Sequence, residues 1–372
     1  MKEETLYAQV IVDVSHGRLD RIFEYALPAE MTDRVTIGHR VLIPFGSGNK
    51  ETEGFVLGLS SLCSYDPAKV TRLLRTLDEE NALLPEQVAL ARWMADRYNC
   101  LLVEALRLMI PAEMRGGRVR EKRAQTARLL LEGAAVEEAK QSLMSKEGKV
   151  KAPTQWELLS LLLEGSMDVS LLDRRLPGAR SALRSMEKKG WVSVTDRENL
   201  RKPYEQMETE IRLSPVMTGE QQAAIDQLNA AQDAGVGDYV LKGVTGSGKT
   251  EVYLHAIKHC IESGKDAIML VPEISLTPQT VDRFRSRFGD GVAVLHSRLS
   301  AGERFDEWRR VSRGEADIVL GARSAVFMPL ANIGVIMIDE AHAESYKAEN
   351  NPVYHAAKVA NRRANMNEAV LV

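Results

Sequence analysis

The stretch Gly243-Val244-Thr245-Gly246-Ser247-Gly248-Lys249-Thr250 fills every position of the pattern G-x-x-x-x-G-K-[ST]. Its glycines let backbone N–H groups approach phosphates, the Lys249 ammonium reaches the β- and γ-phosphates, and the Thr250 hydroxyl ligates Mg2+. The context fits. Residues 239–242 read as a strand before the loop, and 250–263 as a helix whose N-terminus favours anions. Gly243, Val244, Thr245, Gly246, Ser247, Gly248, Lys249 and Thr250 are thus candidate nucleotide ligands, with ATP and Mg2+ the implied cofactors.

Outward from this loop, strands and helices alternate. Segments 267–271, 292–295, 317–320 and 335–338 read as strands, and 275–288, 300–312 and 353–363 as helices, before a last apolar run at 369–372. Such alternation means βαβ units and a parallel sheet. A P-loop needs a metal-holding acid at the end of a neighbouring strand, and the strand Val335-Ile336-Met337-Ile338 delivers Asp339-Glu340-Ala341-His342. Asp339 is the candidate Mg2+ holder beside Thr250, and Glu340 the candidate general base on the attacking water. Lys249, Asp339 and Glu340 are therefore the candidate catalytic residues. A DEAH tetrapeptide alone is weak; behind an apolar strand and a full P-loop it points to an ATP-hydrolysing motor rather than a small kinase.

Upstream, residues 7–14, 40–45 and 54–59 are short runs rich in β-branched residues, punctuated by Gly, Pro and Asn. From Leu84 to Met109 the period turns helical, with Pro85 at a helix start. A mostly-β domain with helices is expected over 1–112. Residues 113–152 carry Arg115, Arg118, Arg120, Lys122, Arg123 and Arg128 against Glu121 and read as a basic linker, either solvated or in contact with phosphate. Over 153–198, three short helices, a stop at Gly190 and a strand make a winged-helix pattern. The third helix of that fold usually enters the major groove, which makes Arg180 and Arg184 candidate DNA contacts. Winged helices also serve as protein-interaction modules. The expected fold is multidomain α/β, closed by an incomplete RecA-like P-loop parallel-sheet lobe over 199–372.

Composition adds bounds. The 372 residues are 44% hydrophobic and 27% charged, as in globular proteins, and the net charge of −3 neither supports nor excludes nucleic acid. Cys63, Cys100 and Cys260 are too scattered to suggest a disulfide framework or a zinc site. No apolar run approaches the ~18 residues of a membrane helix. The start at Met1-Lys2-Glu3-Glu4 has no signal core. No membrane partner and a cytoplasmic location are expected.

Further stretches resemble the primosomal protein N′ (PriA) family of replication-restart helicases. LVPEISLTPQ at 270–279 looks like that family's motif Ia, which implies Glu273, Thr277 and Gln279 on a single-strand track. Leu295-His296-Ser297, Gly302-Glu303-Arg304, Glu307-Trp308-Arg309 and Gly321-Ala322-Arg323-Ser324-Ala325 resemble the next motif group, adding Arg323 and Ser324. Ser345-Tyr346-Lys347 and Tyr354-His355 are similar to its aromatic-rich loop, in which Tyr346 and Tyr354 would stack on bases beside Lys347. Gln221, in Thr218-Gly219-Glu220-Gln221-Gln222, matches the adenine-reading glutamine. FEYALP at 23–28 and VLIPFG at 41–46 are similar to a pocket for a DNA 3′ end, lined by Phe23, Glu24 and Gly46.

The family often has Asp at Glu24, DEEH for DEAH and GTRSA for GARSA. The resemblance implies an ATP-dependent 3′-to-5′ helicase that recognises stalled or abandoned forks and initiates primosome assembly. Its partners would be forked DNA with a 3′ end, single-stranded DNA, primosome proteins and single-strand-binding protein. Zinc is expected in that family, but its ligands are not in these 372 residues. Nor are the second motor lobe and its charge-stabilising arginine, so the chain alone is expected to hydrolyse ATP poorly. The alternative is a non-motor fork and 3′-end binding fragment. A restriction-enzyme or other two-lobe translocase would share the P-loop and DEAH box but leaves LVPEISLTPQ and FEYALP unexplained.

Overall fold

The computed structural model describes residues 5–78, 81–117, 123–145, 148–198, 216–235, 237–244 and 246–372. They form two compact units, one of 1–119 with 202–372 and one of 120–201.

The first unit begins with five antiparallel strands, β1 (Tyr7–Val12), β2 (Phe23–Ala26), β3 (Arg40–Phe45), β4 (Lys50–Ser60) and β5 (Arg75–Thr76), in the order β2-β1-β4-β3-β5. Alternation sends Ala8, Val10, Val12, Tyr25, Val41 and Ile43 to one buried face. Ile11, Phe55 and Leu57 go to the other, against helices α1 (Pro85–Tyr98) and α2 (Leu102–Leu108). Gln87 Oε1 accepts from Leu84 N (2.9 Å) at the start of α1, and Asp20 Oδ2 accepts from Leu102 N (3.0 Å) at the start of α2. These caps settle backbone donors a helix cannot satisfy itself.

The second unit holds β6 (Arg123–Leu129), α3 (Ala134–Ser142), α4 (Pro153–Leu162), β7 (Met167–Asp168), α5 (Val169–Arg175), α6 (Ala179–Lys188) and β8 (Val192–Glu198), with an antiparallel sheet ordered β7-β6-β8. Leu158, Leu159, Leu162, Leu172, Leu183 and Met186 make its core, joined by Ala127 of β6 and Ala139 of α3. The linker reading of 113–152 is therefore corrected: 123–129 and 134–142 are ordered parts of this unit. Ala127 is buried on a face that also carries the exposed Gln125, so the strand shows no apolar alternation in the sequence. Of the basic stretch, Arg118, Arg120 and Lys122 lie outside the described residues.

The P-loop lobe follows in the first unit: α7 (Gly219–Ala234), β9 (Gly237–Asp238), α8 (Lys249–Glu262), β10 (Asp266–Leu270), α9 (Pro278–Phe288), β11 (Val292–Leu295), α10 (Ala301–Ser312), β12 (Ile318–Gly321), β13 (Ile333–Ile338), α11 (Ala356–Met366) and β14 (Val370–Leu371). Its six strands are parallel in the order β11-β12-β10-β13-β14-β9. Both faces are covered, so the strands read as continuous apolar runs. Residues 239–242 are not a strand, contrary to the sequence pattern. β9 pairs Gly237 with Val370 and Asp238 with Leu371, after which Val240 is 94% exposed.

One sheet face packs on α7, α8 and α9. The other packs on α10 and α11, and its core runs without a break into Leu90, Met94 and Leu106 of α1 and α2. Gln87 Nε2 donates to Phe327 O (2.7 Å) across this seam. Arg363 of α11, fully buried, pairs with Glu86 (3.2 Å) and donates to the carbonyls of Val326 (2.7 Å) and Met328 (2.8 Å). The β-domain and the P-loop lobe are thus joined by one hydrophobic core.

Candidate functional site

The P-loop turns sharply because Gly246 and Gly248 sit at φ +80° and +81°, where a Cβ is disfavoured. At Gly243 a Cβ would lie 2.6 Å from Ser247 Oγ, and at Gly248 it would collide with the Gln221 side-chain amide. Gly248 is the N-cap of α8, so the helix opens onto the loop. Lys249 Nζ donates to the loop carbonyls of Gly243 (2.7 Å) and Val244 (3.3 Å). The ammonium thus bonds back to the loop that precedes its own helix. Thr250 stands beside it on α8, half-buried. Thr245 lies outside the described residues.

Gln221 begins α7 in a capping box. Its Oε1 accepts from Thr218 N (2.9 Å), and its backbone N donates to Thr218 Oγ1 (3.2 Å). The amide Nε2 donates to Ser247 O (2.9 Å). The structure brings Gln221 to the P-loop, where both ends of its amide are engaged by the chain itself.

Asp339 leaves β13 with its N–H donated to Leu270 O (2.9 Å). Tyr253, one turn beyond Lys249 on α8, donates its hydroxyl to Asp339 Oδ1 (3.2 Å), and Tyr346 donates to Asp339 O (2.8 Å). Burial first, then the negative charge of Asp339, push both phenols well above the ordinary tyrosine range. Glu340 adopts φ +45°, unusual for a residue with a side chain, and its carbonyl accepts from Ala343 N (2.8 Å). Strain of this kind costs about 1–3 kcal/mol and concentrates at functional sites. Sequence reasoning missed Tyr253; its one signal was the i, i+4 spacing from Lys249, which puts both on one helix face.

Of the candidate DNA contacts on this lobe, Glu273, Thr277 and Gln279 are exposed beyond β10, next to Ile274 at 88% exposure. Thr277 caps α9 by accepting from Thr280 N (3.3 Å). Ser324 and Lys347 are exposed, while Arg323 Nη1 donates to Lys347 O (2.6 Å). The stacking role expected of Tyr346 and Tyr354 is corrected. They are 0% and 4% exposed, and Tyr354 meets Phe327 edge-on at 5.1 Å. Burial raises the Tyr354 phenol to about 12. These rings are core, and only Lys347 of that trio reaches solvent.

In the β-domain, Phe23 meets Phe45 edge-on (5.2 Å), beside the exposed turn at Gly46, with the Arg21 guanidinium 4.9 Å over the Phe23 ring. Glu24, the next strand residue, points to the opposite face. There it accepts from Ser64 N (2.7 Å), Cys63 Sγ (3.1 Å) and Ser64 Oγ (3.1 Å). Desolvation acts to raise this carboxyl, but the three donors outweigh it and hold it below its ordinary value. Phe23 and Gly46 are brought together; Glu24 is held apart from them. In the other unit, Arg180 and Arg184 are exposed on α6, with Arg180 paired to Asp173 (3.1 Å).

Residues 9–111 match the PriA family model described as 3′DNA-binding domain (3′BD), and residues 215–368 match that of the Type III restriction enzyme, res subunit. Replication restart protein PriA of Bacillus subtilis (strain 168) is 33% identical over 96% of this chain and 51% of its own length. The protein of the same name from Chlamydia muridarum is 33% identical over 99% of this chain and 48% of its own. Among solved structures, the UvsW helicase from bacteriophage T4 aligns over 68% of this chain and 88% of its own at 14% identity, with a TM-score of 0.32 that carries no inference. Over nearly its whole length the chain resembles replication restart proteins named PriA, and it spans about half the length of the curated relatives it matches.

Proposed function

We propose that the chain carries the fork-recognising part and first motor lobe of an ATP-dependent 3′-to-5′ DNA helicase that finds stalled or abandoned forks and begins primosome assembly. One observation carries the reading. A P-loop helix bonded to the DEAH carboxylate lies on a lobe that shares its core with a segment matching a 3′ DNA-binding domain.

The backbone of 243–248 would cradle the phosphates, with Gly243 and Gly248 at positions where a Cβ would collide with Ser247 and Gln221. Lys249 exchanges the Gly243 and Val244 carbonyls for phosphate oxygens. Thr250 and Asp339 would hold Mg2+, which when bound neutralises charge on the transferring phosphoryl group. Glu340 orients the attacking water and takes its proton. Gln221 reads adenine by giving up one of its internal bonds. Single-stranded DNA runs past Glu273, Thr277, Gln279, Arg323, Ser324 and Lys347. The 120–201 unit acts as a winged helix that presents Arg180 and Arg184 to phosphates or base edges. Phe23 and Gly46 receive the 3′ end, with Glu24 holding the turn at Cys63 and Ser64 on the strand's other face. Primosome proteins and single-strand-binding protein are the protein partners this reading implies, and the cytoplasm its location.

The test is Lys249→Ala, followed by anisotropy of a fluorescent ADP and of a forked DNA with a free 3′ leading-strand end, with ATP turnover in the same samples. Losing a charge-assisted hydrogen bond of ~1.5–3 kcal/mol weakens nucleotide about 10- to 100-fold. Fork affinity should hold. Wild-type nucleotide affinity or DNA-stimulated turnover in the variant would sink the assignment.

A further inference from the structure

The strand-end carboxylate is held in two places. Its main-chain carbonyl accepts from Tyr346, which fixes the peptide, so the freedom left to Asp339 is rotation of its side chain. Tyr253 acts on that rotation through the 3.2 Å bond to Oδ1. Tyr253 is 5% exposed and packed between α8 and the sheet, with Val252, Leu254, Ile257, Val335 and Met337 in the same core. Its ring has little room to move, and a phenol at neutral pH donates its proton. A carboxylate offers about four acceptor sites, so a bond at Oδ1 leaves Oδ2 for a metal-bound water. Tyr253 also shares its helix with Lys249 and Thr250. The element that presents the phosphate ligands therefore sets the direction in which the acid points.

We propose that Tyr253 is a positioning residue, which orients Asp339 for Mg2+ and keeps it in register with the P-loop helix. The inference rests on the nucleotide-site reading above. Asp339 alone on a strand end would sample several rotamers, and each misdirected one weakens the shared hold on the metal. The bond to Tyr253 removes that sampling before nucleotide arrives, a preorganisation of the kind that distinguishes well-held metal sites.

The experiment is binding of fluorescent ADP to the whole chain, titrated with MgCl2 and repeated in EDTA, for wild type, Tyr253→Phe, Asp339→Asn and the double variant. Tyr253→Phe keeps the ring, and thermal melts verify that it folds. The hydroxyl's loss should raise the Mg2+ concentration for half-maximal binding by about 2- to 10-fold, the range of one net hydrogen bond. Affinity in EDTA should stay at the wild-type value. In the Asp339→Asn background, Tyr253→Phe should add nothing. An unchanged Mg2+ midpoint, an equal loss with and without Mg2+, or an additive double variant would each overturn the proposal. If wild type binds no nucleotide, the nucleotide-site reading has failed instead, which is a different outcome.

Discussion

Replacing Arg363 by Met should separate the β-domain from the motor lobe energetically while keeping most of the apolar stem. Arg363 is 0% exposed and makes three contacts to the Glu86 carboxylate between 3.2 and 3.3 Å. It also satisfies the carbonyls of Val326 and Met328, and Asn367 Nδ2 adds a 3.3 Å bond to Glu86. Breaking a buried pair by removing one partner costs about 3–5 kcal/mol, chiefly because the other charge is stranded. With a urea m-value of ~2 kcal/mol/M, the unfolding midpoint should fall by about 1.5–2.5 M. Trp93 on α1 offers a fluorescence probe on the β-domain side of the seam. The double variant Glu86→Leu/Arg363→Met strands no charge and should recover part of the loss, leaving roughly 1–3 kcal/mol for each carbonyl that stays unsatisfied. A single variant within ~1 kcal/mol of wild type, or a double variant as damaged as the sum of both singles, would refute the reasoning.

Two further outcomes follow from burial. Tyr346→Ala and Tyr354→Ala should each cost about 3–5 kcal/mol, as large core truncations do, whereas Tyr354→Leu should keep single-strand affinity within about twofold. A loss of affinity in Tyr354→Leu with an unchanged melt would restore the stacking role. His255 bears a buried Nε2 with no hydrogen-bond partner among the described residues, and it faces Arg287, Glu251 and Lys258. Burial, then Arg287, hold this ring below its ordinary value. Below about pH 6.5 the unfolded chain takes up the proton first, so the unfolded state binds more protons and stability falls as pH drops. His255→Asn should therefore lose less Tm than wild type between about pH 7 and 5.5; an equal or steeper loss contradicts the sign.

What was legible in the sequence was chemistry that fixes residue type and spacing together. A phosphate cradle demands Gly243, Gly248 and Lys249 at set intervals, and a metal-holding acid demands a strand end, so Lys249 and Asp339 could be paired before any coordinates. Burial in loops leaves no such mark. Tyr346 beside Lys347 reads alike whether the ring stacks on a base or fills a core, and only the 0% exposure of Tyr346 decides between them. β6 is hidden for the opposite reason: its buried Ala127 is small and shares its face with the exposed Gln125, so the strand leaves little hydrophobic alternation to read. The contacts that tie the elements together include non-local ones. Tyr253 reaches Asp339 across 86 positions and Arg363 reaches Glu86 across 277, with neither partner belonging to a repeating pattern. Periodicity reports what an element turns toward the core, and motifs report what chemistry requires. The pairing of one tyrosine with one carboxylate is specified by neither, and the tertiary fold alone brings it about.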